Sequence, residues 1–135
     1  MTEKELLIKA VEAREFAYAP YSNHKVGAAL LGKSGKVYTG CNVENAAYSP
    51  TNCAERTAVF KAVSEGEREF CAIAIVGGLN DQLSETLAPC GVCRQVLAEF
   101  CNDSMPVIMG TPEKITVSTL GELLPSSFGK SSLNV

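Results

Sequence analysis

Cys53, Cys90 and Cys93 are the residues whose types and spacing point most directly to chemistry. Two of them stand in Pro89-Cys90-Gly91-Val92-Cys93, a C-x-x-C at the start of an apolar helical pattern, so both thiols can converge on one tetrahedral ion. That motif alone is shared by redox pairs and structural zinc knuckles. A third thiol sharpens it. Cys53-Ala54-Glu55 also sits at a predicted helix start, and three thiolates leave one of the four positions around zinc open to water. Glu55, two residues beyond Cys53, can reach that water without binding the ion, which predicts a catalytic zinc with Glu55 as its proton carrier. Three thiolates around a divalent cation carry a net charge of about −1, which opposes acidification of a bound water. Two helix N-termini and two nearby cations, Arg56 and Arg94, are available to offset it, and Arg56 is predicted to donate to the ligand sulfurs.

Plainer readings stand beside these. Asn52 lies three residues before Glu55, so the pair can be a capping box with Glu55 as a mere helix-end residue. Cys41, Cys71 and Cys101 fall in or beside apolar runs and read as core packing. His24, the single histidine, reads first as a loop residue with a surface or packing role.

The elements that must hold the cysteines follow from periodicity. Leu6, Leu7, Ala10, Val11, Ala17 and Tyr18 recur at helical spacing behind a Thr2/Glu5 capping box, predicting a helix from residue 3 to about 19 that Pro20 stops. Two short runs, 26–31 and 36–42, flank Gly32-Lys33-Ser34-Gly35 and predict a hairpin. After an irregular stretch over 43–52, a helix begins near Cys53 and ends before Gly66. Residues 71–77 are continuously apolar and predict a buried strand. A loop then leads to Pro89 and a helix marked by Val92, Val96, Leu97 and Phe100. Further strands are predicted at 106–109 and 115–117, and a last short helix is capped by Ser118 and ends at Pro125. This order, αββαβαββα, predicts a mixed sheet covered by helices in one domain over 1–135.

A cysteine ligand followed by Glu, with a later P-C-x-x-C, matches the signature of zinc deaminases, in which water attacks the ring carbon bearing the amine while the Glu carries protons to the ring nitrogen and departing ammonia. From about residue 5 to residue 128 the chain resembles the small homotetrameric cytidine deaminase family, through YSNHKVGAALL at 21–31, GCNVENAAYS at 40–49, CAER at 53–56, PCGVCRQ at 89–95 and ELLPSSF at 122–128. The resemblance implies an α/β fold, a three-layer αβα sandwich around a five-stranded mixed sheet, with one zinc per subunit. It also implies that Asn42 and Glu44 hydrogen-bond the ribose hydroxyls, that the Ala54 backbone and Glu55 contact the pyrimidine edge, and that Ala46, Tyr48 and Phe128 complete a site across subunits. An Asx-turn for Asn42 and a solvated charge for Glu44 are the plainer alternatives. One position departs from the family: His24 stands where its members usually carry Phe against the base, and a smaller, polar, titratable ring leaves substrate preference open.

Composition narrows the function classes. A chain of 135 residues, 46% apolar and 20% charged, has the makings of one globular core. Its N-terminal stretch mixes acids and bases and carries no signal-peptide core, and no window suits a membrane span, so a cytoplasmic protein is expected. A net charge of −3 without a run of Lys or Arg argues against a nucleic-acid polymer as partner. The resemblance to the cytidine deaminase family implies hydrolytic deamination of cytidine and deoxycytidine to uridine and deoxyuridine in pyrimidine salvage. A modified cytosine nucleoside such as blasticidin S is the alternative substrate; a zinc-stabilised interaction domain and a polynucleotide editor are the competing classes.

Overall fold

A computed structural model describes residues 1–134. Helix α1 (Glu3–Arg14) is followed by strands β1 (His24–Gly32) and β2 (Val37–Cys41), helix α2 (Ala54–Ser64), strand β3 (Phe70–Leu79), helix α3 (Gly91–Phe100), strands β4 (Pro106–Thr111) and β5 (Lys114–Thr119), and helix α4 (Leu120–Leu123). The five strands form one sheet in the order β2-β1-β3-β4-β5, in which only β3 and β4 run parallel. Because side chains alternate along a strand, β3 sends Ile73 and Ile75 to one face and Ala74 and Val76 to the other. Leu6, Leu7 and Ala10 of α1 cover the second face, while Ala54, Ala58 and Val59 of α2 and Leu97 of α3 cover the first. The result is the expected three-layer αβα sandwich on a five-stranded mixed sheet.

Close approaches of backbone fix where α1 and α2 sit. A Cβ on Gly27 of β1 would lie 2.1 Å from the Ala10 carbonyl oxygen, and one on Gly40 of β2 only 2.5 Å from that of Ala54. Gly40 thus lets the first turn of α2 press directly onto β2, and that turn carries the Cys53-Ala54-Glu55 segment.

Several boundaries differ from expectation. Helix α1 ends at Arg14 rather than near residue 19, because Tyr18 leaves the helix to pair with Val43: its N–H donates to the Asn42 carbonyl, and the Glu44 N–H donates to its own. Tertiary pairing outweighs helical periodicity here. Thr2 does cap α1 by accepting from the Glu5 N–H. Helix α4 is capped by Thr119 rather than Ser118, in a capping box with Glu122, and a 3-10 turn at Lys130–Leu133 follows it. His24 is the first residue of β1, not a loop residue. Of the three cysteines assigned to the core, Cys41 and Cys101 are half-buried, but Cys71, the second residue of β3, is exposed.

Candidate active site

The two ligand segments meet at the N-termini of two helices. Cys53 is the N-cap of α2 and Cys90 the N-cap of α3, and neither makes a side-chain capping bond, so both thiols are free to face a common point; Cys93 joins them from the first turn of α3. The Cys53 and Cys90 sulfurs are 3.9 Å apart, those of Cys90 and Cys93 3.5 Å, and all three lie within 4.8 Å of one another. Zinc–sulfur bonds of about 2.3 Å at tetrahedral angles would set sulfurs about 3.8 Å apart, so the spacing and the donor chemistry both fit one zinc ion. No further His, Cys, Asp or Glu joins this cluster among the described residues.

Electrostatics at the cluster favour thiolate at Cys53. Arg56 donates from Nη2 to the Cys53 sulfur at 3.2 Å. The hydrogen bond from Cys93, aided by Arg56, pulls the Cys53 thiol down to about 5, while that same shared bond drives Cys93 up. Helix N-termini act in the same sense. The expected second cation behaves otherwise: Arg94 donates to the Pro89 carbonyl at 2.7 Å and the Leu123 carbonyl at 2.6 Å, pinning α3 to the end of α4 instead of reaching sulfur.

Glu55 is 4% exposed, and burial pushes its carboxyl above the ordinary range for a carboxylate, against the opposing pull of its own backbone N–H. A carboxyl that holds its proton more tightly than a solvated one is suited to carrying a proton between water and substrate. It is not half of a capping box with Asn52, whose Nδ2 donates instead to the Thr57 hydroxyl.

A cavity of about 170 Å³ opens beside the sulfurs, walled by His24, Asn42, Cys53, Ala54, Glu55 and Cys90 together with Val26, Ile75 and Leu87. Asn42 is buried in its wall, and its amide is partly committed, accepting from the Val26 N–H at 2.9 Å and donating to the His24 carbonyl at 2.8 Å. That is a brace on β1 rather than an Asx-turn, and it leaves one amide N–H and one lone pair for a ligand. Glu44 faces an adjoining chamber of about 330 Å³ lined by Tyr21, Ser22, Tyr48 and Thr51, and Thr51 borders both spaces. Its carboxylate is no freely solvated charge, since it accepts from Ser22 and from two backbone amides. Tyr48 packs edge-on against Tyr21 with ring centroids 6.4 Å apart. Ala46 and Phe128 are exposed and lie outside both spaces of their own chain.

Sequence reasoning passed over Ser22, which holds Glu44, and Leu87 and Ala88, which wall the cavity from the loop before Pro89. The adjacency of Leu87-Ala88 to Pro89-Cys90 was the available signal for that wall. Arg14 was missed as well, and no local pattern marks it: it is 6% exposed and donates to the carbonyls of Lys25, Gly78, Asn80 and Gln82.

An αβα sandwich that brings three cysteine thiols and a buried glutamate to the ends of two helices beside a small cavity defines a zinc-dependent deaminase class of site. The chain belongs to the cytidine and deoxycytidylate deaminase zinc-binding family, whose pattern it matches over residues 1–109. It is 52% identical to a cytidine deaminase of Sporosarcina psychrophila over 99% of this chain and 96% of that one. A cytidine deaminase of Halalkalibacterium halodurans is 49% identical over 98% of each. The crystal structure of cytidine deaminase from Burkholderia pseudomallei superposes with a TM-score of 0.87 at 49% identity, covering 95% of this chain and 100% of that one.

Proposed function

We infer that this chain hydrolyses the exocyclic amine of cytidine and deoxycytidine, giving uridine or deoxyuridine and ammonia. The observation that carries the reading is the buried Glu55 carboxyl in a cavity bordered by Cys53 and Cys90. Cys53, Cys90 and Cys93 would hold zinc, which supplies a Lewis acid for activating water at the amine-bearing ring carbon. Glu55 takes one proton from the attacking water and delivers it to the adjacent ring nitrogen, then takes the second from the hydroxyl now on the ring carbon and passes it to the amine, so that the carbon–nitrogen bond breaks, ammonia leaves and the oxygen becomes the carbonyl. The Ala54 backbone and Glu55 meet the pyrimidine edge, His24 packs on the base, and Asn42 and Glu44 take the ribose hydroxyls. Apolar walls from Val26, Ile75 and Leu87 exclude water from the ring and strengthen each polar contact.

The assembly proposed is a homotetramer in which Ala46, Tyr48 and Phe128 reach a neighbouring subunit's site. Phe16, Tyr48 and Phe128 are 80%, 74% and 61% exposed, an apolar display that a second subunit would cover. A cytoplasmic setting and a role in pyrimidine salvage suit the reduced thiols the metal needs. No helix among the described residues is long and apolar enough to cross a membrane.

Following ultraviolet absorbance while the zinc-loaded protein is incubated with cytidine, deoxycytidine, cytosine and blasticidin S tests this reading. Turnover of the first two ahead of the others is expected. Turnover of blasticidin S alone would move the substrate to the modified nucleoside, and no turnover of any would favour a binding module.

A further inference from the structure

We propose that Ser22 is a positioning residue that fixes the plane of the Glu44 carboxylate toward the sugar hydroxyls of a bound nucleoside; this rests on the reading of Glu44 as a ribose contact. Glu44 reaches its chamber from the irregular stretch after β2, while Tyr21 and Ser22 come from the turn before β1. Its Oε1 accepts from the backbone N–H groups of Tyr21 at 3.0 Å and Ser22 at 3.2 Å. Its Oε2 accepts from the Ser22 hydroxyl at 2.5 Å. An ionised carboxylate offers about four acceptor positions, so three are filled from one side and one on Oε2 remains for an incoming donor.

The Ser22 hydroxyl is itself aimed. Its oxygen accepts from the backbone N–H of His24 at 3.0 Å, which turns the hydroxyl proton toward Glu44. Asn23 makes that geometry possible by adopting a left-handed φ of 59°, a conformation Asn tolerates better than most residues, and the turn is closed by its N–H donating to the Ala19 carbonyl. The two amide bonds alone both end on Oε1, so without the hydroxyl the carboxylate can swing about that oxygen. Ser22 is thus what ties the second oxygen down. It also links the Glu44 head group to the backbone of His24, at the mouth of the neighbouring cavity.

The test uses the zinc-loaded full chain with cytidine and its 2′,3′-dideoxy analogue. Ser22→Ala is expected to raise KM for cytidine about tenfold while kcat stays within about twofold, and to reduce the preference for cytidine over the dideoxy compound by a similar factor. Ser22→Thr, which keeps the hydroxyl, should restore that preference. The proposal is overturned if Ser22→Ala keeps the wild-type preference while Glu44→Gln abolishes it, or if Ser22→Ala lowers kcat/KM equally for both compounds, as a merely structural role would. A Glu44→Gln variant with unchanged preference would instead remove the reading of Glu44 and the proposal with it.

Discussion

Two arginines lie close to the thiolates in sequence, and the fold uses them differently. Arg56 meets the Cys53 sulfur, whereas Arg94 is absorbed by the carbonyls of Pro89 and Leu123. Sequence could place both near the ligands but could not say which would turn toward sulfur, because that depends on where α4 ends relative to α3. The three cysteines and Glu55 were legible because their chemistry is set by spacing over a few residues. Arg56→Ala should keep its zinc yet lose about tenfold to a hundredfold in kcat, the scale of one hydrogen bond to a charged group. Metal content and steady-state rates check this; full zinc with wild-type turnover would show the guanidinium to be dispensable. At His24, the change His24→Phe should alter KM for cytidine more than kcat, and Michaelis constants unchanged over about pH 5 to 8 would remove the histidine from the substrate contacts.

At the scale of elements, both ligand-bearing helices begin where predicted, since a polar, turn-rich segment followed by helical periodicity is a local signal. The end of α1 was not legible, because Tyr18 answers to Val43, a partner far along the chain. Arg14 has the same origin: four carbonyl acceptors from β1, β3 and the following loop converge on it only once the sheet exists. It fastens the end of α1 to the loop whose continuation supplies Leu87 and Ala88 to the cavity. Arg14→Ala strips those carbonyls of their donor at a largely buried position, and a loss of about 2–4 kcal/mol in stability is expected. Thermal unfolding of the metal-loaded protein measures it. A midpoint equal to wild type would mean that water replaces the guanidinium at no cost.

At the scale of the whole molecule, alternation of strands and helices was enough to predict a covered mixed sheet, while the order β2-β1-β3-β4-β5 is visible only in the folded chain, since local patterns carry no information about which strand lies beside which. The same limit applies to assembly. Phe16, Tyr48 and Phe128 stay largely exposed in their own chain, Tyr48 despite its edge-on contact with Tyr21. Light scattering of the purified protein should give a mass four times the 14.3 kDa of one chain, and a monomer retaining full activity would show that Ala46, Tyr48 and Phe128 of a neighbour are not needed.

The account depends most on how the metal is held. Zinc K-edge X-ray absorption on the purified chain reads the donor set without reference to activity. Three sulfurs and one lighter oxygen or nitrogen donor are expected, from Cys53, Cys90, Cys93 and an exchangeable ligand. A fourth sulfur around the ion, or fewer than three, would contradict a catalytic zinc at this site.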